Sequence, residues 1–370
     1  MVDTIEHELH GLKKAFTRCK LHYITDPRYI LRALGKVKFD VIITSSILDN
    51  NDVSVQDILK SISQKYPNIV RVVVNKEGDE TNFNQVAHYN FLSPFSYDEV
   101  STIIERLAQT NQTITKSSII KIVSKIKSLP TPPRVYLQLN ALLEQNNTDS
   151  HKISEIITQD PALTAKVLQV SNSFSLNKGK TIKDISEAIT KMGVDALCCI
   201  VMTAELFSHE TDIENFSLID EQLHCLHTAK LAASLVKPEL KQETMLSGLL
   251  HDIGKLVLLE IDPKLSAQFL KNHNKITNSL LLEEKIFKTN HCQIGAYLLH
   301  CWNFSYDIIE NIIHHHAPEK LCQKKFGAPQ AVYLANALLR GQEPDERFVV
   351  HYKMTALLDT LRARAEKYQN

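Results

Sequence analysis

At 370 residues the chain is longer than one typical domain and can bury two hydrophobic cores. Its 42 lysines and arginines equal its 42 aspartates and glutamates, so no overall charge favours nucleic acid or an anionic membrane as a partner. No apolar run approaches the length that spans a bilayer, and seven cysteines without a Cys-x-x-Cys spacing favour reduced thiols in a cytoplasmic protein.

The first third of the chain predicts a short helix and then a small α/β domain. Residues 1–18 have the pattern of an amphipathic helix and lack the apolar core of a signal peptide. The predicted strands are LHYIT at 21–25, FDVIITSS at 39–46, IVRVVVN at 69–75 and NFLSP at 90–94. Amphipathic stretches between these runs predict helices. Strands that alternate with helices at this spacing predict a parallel sheet covered by helices.

Residues 19–110 resemble a response-regulator receiver domain, which has a flavodoxin-like parallel sheet. That family uses an acidic pair after the first strand, a phosphoacceptor aspartate after the third, a hydroxyl residue, and a lysine before a proline. The residues at these positions are Thr25-Asp26, Ser45, Asn75 and Ser93-Pro94. Because Ser45 cannot form an acyl-phosphate and one acid binds magnesium poorly, the resemblance implies a pseudo-receiver. Such a domain acts through protein contacts or assembly, or serves only packing and dimerisation, so a homodimer is one expectation.

Polar composition predicts a linker at 111–118 after this domain. A helical domain at 119–340 and a helical extension at 341–370 follow the linker. The extension has an apolar stripe, which either docks on its own domain or pairs with a partner.

The most informative stretch of the helical domain is GLLHDIGKLVLLE at 248–260. Its apolar residues recur at helical spacing and predict one buried helix. Burying His251 beside Asp252 is unfavourable unless a partner satisfies both side chains, and a divalent metal binds both residue types. Lys255 lies one turn further along the same face, where a cation beside a metal would suit a phosphate.

Further histidines interrupt amphipathic helices around this motif. His227 precedes it, and His291, His315 and His316 follow it. Histidines that point inward from several helices are how a helical bundle builds a metal site. The alternative is a set of core histidines that hydrogen-bond to backbone carbonyls, with His227 and His251 paired across a dry core.

The order of these residues resembles the HD superfamily of metal-dependent phosphohydrolases and, more narrowly, the HDOD domain, an all-helical output module of bacterial signalling proteins. IKSLPTPPRVYLQ at 126–138, ITQDPALTAKVLQVSNS at 157–173 and TIKDISEAITKMGVDAL at 181–197 extend the HDOD resemblance beyond the histidines. The implied fold is an α/β receiver-like domain followed by an all-α HDOD domain. The metal ligands that the resemblance implies are His227, His251, Asp252, His291, His315, His316 and, where hydrolytic relatives have a late aspartate, Asn336.

Several departures weaken the hydrolytic pattern. Asn336 offers a carboxamide oxygen instead of a carboxylate, and it cannot act as a base. Leu223 stands where the related HD-GYP phosphodiesterases carry a glutamate, and no Gly-Tyr-Pro segment follows the double histidine. Cys292 directly follows His291, but neighbouring helical side chains point about 100° apart, which argues against a Cys-His dyad.

Two functions from different classes follow. The first is a bacterial signalling regulator whose non-phosphorylatable receiver-like domain is coupled to an HDOD output module. That module would bind a signalling protein or a small phosphorylated ligand and hold a divalent metal (iron, manganese, magnesium or zinc). The alternative is a metal-dependent phosphohydrolase for a nucleotide or cyclic dinucleotide, with Asp252 and Lys255 in catalytic roles.

Overall fold

The structure is a computed structural model that describes most of the chain in two compact units. The described residues are 16, 19–24, 26–48, 54–75, 81, 83, 86–92, 96–123, 134–144, 149–174, 182–206, 216–273, 279–322 and 325–369. The predicted N-terminal helix at 1–18, apart from Phe16, lies outside these residues, as do Thr25 and Ser93-Pro94. The first unit is Met1–Lys121 with Ala296–Glu310, and the second is Ile122–Gly295 with Asn311–Asn370. Residues 296–310, which the sequence assigned to the helical domain, therefore belong to the first unit.

The first unit contains a small parallel sheet of three strands in the order β1-β2-β3. The strands are β1 (Val41–Ser45), β2 (Val70–Asn75) and β3 (Tyr89–Leu92). Val41 pairs with Val70 in the first ladder, and Val72 pairs with Tyr89 in the second. All six residues of β2 are buried, as expected of a central parallel strand that is covered on both faces.

The predicted strand at 21–25 is wrong for the part that the structure describes, because residues 21–24 contain only an isolated bridge at Ile24. Just after it, the side chain of Asp26 accepts the backbone N–H of Arg28, and Pro27 opens a 3-10 turn. These features turn the chain instead of extending it.

The helices of the first unit begin with α1 (Ile30–Leu34), α2 (Val55–Lys65), α3 (Tyr97–Ile114) and α4 (Ser117–Val123). Helix α2 starts where the hydroxyl of Ser54 accepts the N–H of Asp57, and it buries one apolar stripe. The linker predicted at 111–118 is instead largely helical. Asn111 and Ile114 are both buried on α3, so burial there outweighs the polar composition that suggested a linker.

A buried arginine joins the sheet to residues 296–310 within the first unit. Arg71 is fully buried in β2, and burial lowers its pKa to about 10. Its Nε donates to the carbonyl of Val86 at 2.8 Å, and its Nη1 donates to the carbonyl of Ile69 at 2.9 Å. Its Nη2 donates to the side-chain oxygen of Asn303.

Two buried histidines complete this connection. His88 Nδ1 accepts the backbone N–H of Arg71 at 3.0 Å, and its Nε2–H donates to the carbonyl of His300 at 3.1 Å. His300 Nε2–H donates to the carbonyl of Pro67 at 2.7 Å, and its Nδ1 lies 3.3 Å from the Tyr306 hydroxyl. Burial lowers the pKa of His88 well below its usual value and that of His300 to about 3, so both rings are neutral.

The second unit is helical throughout the part that the structure describes. Its helices are α5 (Arg134–Glu144), α6 (Ser150–Thr158), α7 (Pro161–Phe174), α8 (Ile185–Met192), α9 (Val194–Leu206), α10 (Leu218–Ala233), α11 (Lys241–Leu250), α12 (Ile253–Ile261), α13 (Pro263–His273), α14 (Ser279–Phe287), α15 (His291–Cys301), α16 (Tyr306–His314), α17 (Pro318–Leu321), α18 (Ala328–Leu339), α19 (Glu346–His351) and α20 (Leu358–Gln369). The boundary between the units falls within α15 and within α16.

Helix packing in the second unit brings the motif-bearing segments together. Helix α10 packs against both α11 and α18. The C-terminal helix α20 docks on its own unit, where Leu361 and Ala365 are buried with Leu231 and Phe348. No described helix is long and apolar enough to cross a membrane.

Candidate metal centre

The centre is built around Asp252, which lies in a sharp turn between two helices. Helix α11 ends at Leu250 and α12 begins at Ile253, so the single helix predicted over 248–260 is wrong. The chain leaves helical geometry at Asp252, where φ is −104° and ψ is 9°. The turn buries both His251 and Asp252 completely or nearly so, with relative exposures of 0% and 1%.

Close backbone approaches keep this turn in place. Gly254 lies on the first turn of α12, and a Cβ there would clash with the carbonyl oxygen of His291 at the start of α15. Gly248 lies on α11, and a Cβ there would be 2.5 Å from the Cα of Ala229 on α10. The two glycines therefore let the helices on either side of the His-Asp pair touch their neighbours.

Backbone carbonyls orient two of the imidazoles. His251 Nδ1–H donates to the carbonyl of Gly248 at 2.7 Å, and His315 Nδ1–H donates to the carbonyl of Ile312 at 2.6 Å. When such a ring is neutral and its proton is on Nδ1, its Nε2 carries a lone pair. This is the tautomer that a metal-binding histidine needs.

A buried carboxylate orients the third imidazole. Glu283 on α14 lies 2.8 Å from His291 Nδ1 and accepts the backbone N–H of His291 at 2.7 Å. The sequence pattern gave no indication of Glu283. A carboxylate behind an imidazole fixes its tautomer and makes Nε2 a stronger donor to a metal.

The Nε2 atoms of these three histidines converge on the Asp252 carboxylate. His251 Nε2 lies 3.1 Å from Oδ2, while His291 and His315 Nε2 lie 3.1 Å and 3.6 Å from Oδ1. His291 and His315 Nε2 are only 3.3 Å apart. The buried atoms His251 Nε2 and Asp252 Oδ1 have no hydrogen-bond partner. One divalent metal that replaces any proton on these nitrogens would bind the three imidazoles and the carboxylate together, so this donor set fits such an ion.

Charges around the cluster also favour a cation. Burial lowers the pKa of His291, but Cys292 and Glu283 raise it by more than burial lowers it. The pKa of His291 is therefore well above its usual value. Burial lowers the pKa of His315, yet Cys292 and Asp252 raise it to about 9. The same negative surroundings that stabilise a proton on these rings stabilise a metal ion between them.

His316 completes this half of the cluster. Its ligand atom lies within 4.8 Å of those of Asp252, His291 and His315. Burial holds its pKa well below the usual value, so the ring is neutral and can act as a ligand.

Two cationic side chains pair with Oδ2 of Asp252. Lys255 Nζ and Arg340 Nη2 lie 2.5 Å and 2.7 Å from Oδ2. Both also contact Glu221, at 2.9 Å and 3.1 Å from its Oε1. Burial raises the pKa of Asp252, but His251, Lys255 and Arg340 outweigh this effect and hold it well below its usual value. Asp252 is therefore a carboxylate with Oδ2 paired and Oδ1 facing the histidines.

The structure does not bring His227 to the cluster. Its half-buried ring packs on Tyr368 of α20, with 5.0 Å between ring centroids. His224, one turn earlier on α10, lies there instead, with Nε2 4.0 Å from Asp252 Oδ2. The packing of α10 against α11 and α18 decides which histidine of LHCLH faces inward, and the sequence does not reveal that packing.

Asn336 is beside the cluster but acts as a hydrogen-bond acceptor. Its Oδ1 accepts from His224 Nε2 at 2.9 Å and from Arg340 Nε at 3.2 Å. Two donors occupy this oxygen, so Asn336 positions His224 and Arg340 and is not available as the predicted metal ligand.

A pocket of about 530 Å³ opens beside the cluster. Its polar lining combines Lys255 and Arg340 with acidic groups and two histidines, and its apolar lining comes from α12, α13 and α18. The lining residues include Phe216, Ser217, Asp220, Glu221, His224, Lys255, Leu258, Leu259, Phe269, Leu270, Glu283, His316, Leu339 and Arg340. A cavity of this size is typical of sites for small organic ligands.

Solved structures share this helical architecture at low sequence identity. A candidate phosphohydrolase from Shewanella amazonensis SB2B is 21% identical with a TM-score of 0.53, covering 69% of this chain and 94% of that one. An HDOD domain protein of unknown function from Geobacter sulfurreducens is 22% identical with a TM-score of 0.52, covering 68% and 97%. A candidate signal transduction protein from Marinobacter aquaeolei VT8 is 16% identical with a TM-score of 0.55, covering 70% and 65%. At these identities the likeness concerns the fold alone.

Sequence comparison gives the family. An uncharacterized protein of Treponema pallidum (strain Nichols) is 27% identical over 217 residues, which are 56% of this chain. The chain spans 42% of the length of that relative. The family model of the HDOD domain matches residues 129–318, just over half of the 370 residues. With this match and the buried His-Asp cluster in its helical unit, the chain belongs to the HDOD domain family.

Proposed function

We propose that this chain is a signal-transduction regulator whose HDOD module holds one divalent metal beneath a ligand pocket and binds without turnover. The observation that carries the proposal is the pairing of Asp252 Oδ2 with both Lys255 and Arg340. A two-metal hydrolase needs a carboxylate that bridges both ions. Here one oxygen is already neutralised by two cations, which leaves Oδ1 for a single metal.

The residue at 336 supports the same proposal. A carboxylate at this position would add a charged ligand, whereas the Asn336 oxygen is taken by His224 and Arg340. Asp252, His291, His315 and His316 would hold the metal, with Glu283 fixing the orientation of His291 and the Ile312 carbonyl that of His315. When bound, such an ion supplies Lewis-acid charge that polarises a phosphoryl oxygen.

A small phosphorylated molecule is the ligand that suits the pocket. Lys255 and Arg340 line it as two fixed cations, and Arg340 presents a planar guanidinium that suits phosphate oxygens. Leu258, Leu259 and Phe269 supply an apolar wall for the rest of the ligand. Metal and cations together would bind the phosphate end.

The receiver-like domain would contribute through protein contacts. Ser45 ends β1 at the phosphoacceptor position and is buried, and Asn75 ends β2. Asp26, the acid left from the first pair, is bound at 2.7 Å to Arg28. We therefore propose that signals reach this domain through a partner protein or a second copy of the chain, not through phosphorylation.

Elemental analysis and calorimetry test the proposal. We expect one metal per chain after reconstitution, and binding of pyrophosphate that weakens on the order of tenfold in Lys255→Gln, because a charged hydrogen bond is lost. Lys264→Gln, which makes the same charge change at an exposed position on α13, should leave pyrophosphate binding unchanged. A chain that takes up no metal would contradict the proposal.

The alternative function is a metal-dependent phosphohydrolase. It is favoured by a second group of ligand atoms, those of His224, His251 and Asp252, which shares Asp252 with the first group. Hydrolysis of nucleotides or cyclic dinucleotides with added manganese or iron, abolished by Asp252→Ala, would establish the hydrolase and overturn the binding function.

A further inference from the structure

We propose that Glu221 is a built-in competitor for the phosphate ligand, because its carboxylate binds Lys255 and Arg340 until the ligand displaces it. The proposal rests on the ligand pocket of the proposed function and adds how binding there is regulated. Glu221 lies on the first turn of α10, with its Oε1 2.9 Å from Lys255 Nζ and 3.1 Å from Arg340 Nη2. A phosphate oxygen would bind between two such cations in the same way.

The two cations lie between a buried carboxylate and one that faces the pocket. Lys255 and Arg340 both pair with Asp252 Oδ2 as well as with Glu221. The side chain of Asp252 is completely buried and does not line the pocket. Glu221 lines the pocket together with both cations. A ligand that enters the pocket therefore meets a carboxylate already bound where its phosphate would bind.

The charges of this group explain why a phosphate can replace the carboxylate. Two positive side chains face two carboxylates, so the group has no net charge that would attract an anion. A phosphate group carries about two negative charges at neutral pH, whereas Glu221 carries one, so the phosphate gains more from the two cations. A divalent metal on Asp252 Oδ1 would add positive charge nearby and favour the exchange.

Glu221 can leave the cations without a change in the backbone. Its side chain is 12% exposed at the pocket, so a rotation about its side-chain bonds brings the carboxylate into water. The start of α10 is held separately, because the hydroxyl of Ser217 accepts the backbone N–H of Asp220 at 3.2 Å. Displacement therefore breaks two ion pairs and leaves the helix intact.

Calorimetry on the metal-reconstituted full-length protein tests this competition with two probes, inorganic phosphate and pyrophosphate. Removing a competitor raises the affinity for every ligand of a site by the same factor. We expect Glu221→Gln to bind both probes on the order of tenfold more tightly than the wild type, because a neutral carboxamide binds the cations more weakly than a carboxylate. A gain that is much larger for pyrophosphate than for phosphate would indicate a general charge effect and overturn the proposal.

Asp220→Asn is the matched control. Asp220 is the neighbouring acid on the same turn and also lines the pocket, but the ion pairs of Lys255 and Arg340 go to Glu221 and Asp252. This variant should change both affinities by a much smaller factor. An equal gain in the two variants would show that the position of Glu221 on the cations has no special effect.

The outcomes separate this proposal from the one beneath it. Equal affinities in the wild type and Glu221→Gln overturn the role of Glu221 and leave the ligand pocket standing. Binding of neither probe by either protein overturns both. If Glu221→Gln does not fold, a crystal structure of the wild type with pyrophosphate decides. Glu221 Oε1 beyond hydrogen-bond distance of Lys255 Nζ supports displacement, and an intact ion pair beside bound pyrophosphate contradicts it.

Discussion

Glu283 controls His291 through two hydrogen bonds, one to the ring and one to the backbone N–H. The segment LLLEEKIF contains two adjacent acids, and periodicity does not reveal which one turns inward. Burial separates them, because Glu283 is 1% exposed whereas Glu284 is on the surface and binds Asn290. The histidine pattern thus predicts His291 but does not reveal Glu283, the carboxylate that orients it.

Replacing Glu283 with glutamine should weaken metal binding on the order of 10- to 100-fold, because the imidazole loses the charge that strengthens its Nε2 as a donor. Competition with a chelating dye measures the affinity. Glu284→Gln makes the same charge change one residue away and should bind metal like the wild type. Equal affinities in both variants would show that Glu283 has no such role.

Arg340 can be tested as the group that excludes a second metal. Asn336→Asp alone should still bind one metal per chain, because Arg340 continues to neutralise Asp252 Oδ2. Asn336→Asp with Arg340→Ala removes the guanidinium from that oxygen, leaving only Lys255 on it, and adds a carboxylate, so we expect two metals per chain by elemental analysis. A stoichiometry of one in the double variant would contradict this role of Arg340.

At the residue scale the sequence predicted most, but not all, of the side chains that the structure brings together at the cluster. His251, Asp252, His291, His315 and His316 come together around one carboxylate. The choice of His224 over His227 depends on how α10 is rotated against its neighbours, and residues three apart on a helix share nearly the same face. Periodicity alone does not separate them.

At the scale of elements, strands were easier to predict than boundaries. Val70–Asn75 is a β-branched run that is buried throughout, and its pattern and burial agree. The break between α11 and α12 gave no such signal, because the apolar spacing continues across His251-Asp252. The break depends on tertiary contacts, among them the approach of Gly254 to the backbone of His291.

Gly254→Ala should therefore destabilise the protein by about 1–3 kcal/mol and weaken metal binding, because the new methyl group pushes α12 away from the start of α15. Urea unfolding and metal titration measure the two effects. Gly35→Ala is the control, since the nearest atom to its added Cβ would be 3.6 Å away, an ordinary contact. Equal stability of the two variants would mean that α12 and α15 do not need this approach.

At the scale of the whole molecule, length and composition correctly indicated more than one core. They could not indicate that the first unit takes in residues 296–310 from far along the chain. That inclusion depends on Arg71, His88 and His300, each buried through contacts remote in sequence. A polar residue in an apolar run predicts that its side chain has a hydrogen-bond partner in the fold, but it does not identify that partner.

These buried histidines predict that stability falls in acid. Burial depresses the folded-state pKa of His300 to about 3 and that of His88 well below its usual value. Between about pH 6.5 and 3 the unfolded chain binds protons that the folded chain does not, so stability is lost as the pH falls through this window. Each histidine contributes up to about 1.4 kcal/mol per pH unit.

Urea unfolding between pH 7.5 and 5 measures this dependence. His300→Gln should reduce the slope of stability against pH, whereas His351→Gln, at an exposed position on α19, should leave it unchanged. A slope that is the same in all three proteins would assign the acid sensitivity to other groups.

Because the unit boundary cuts through α15, the HDOD region cannot be exchanged as a cassette. His291 at the start of this helix belongs to the metal cluster, whereas His300 near its end donates to Pro67 in the first unit. A gene fusion that grafted residues 119–340 onto another N-terminal domain would carry Tyr306 and Asn303 away from the groups that bury them. Recombination at this junction would succeed only with domains that provide an equivalent of Arg71, which would restrict how freely this region can be reshuffled.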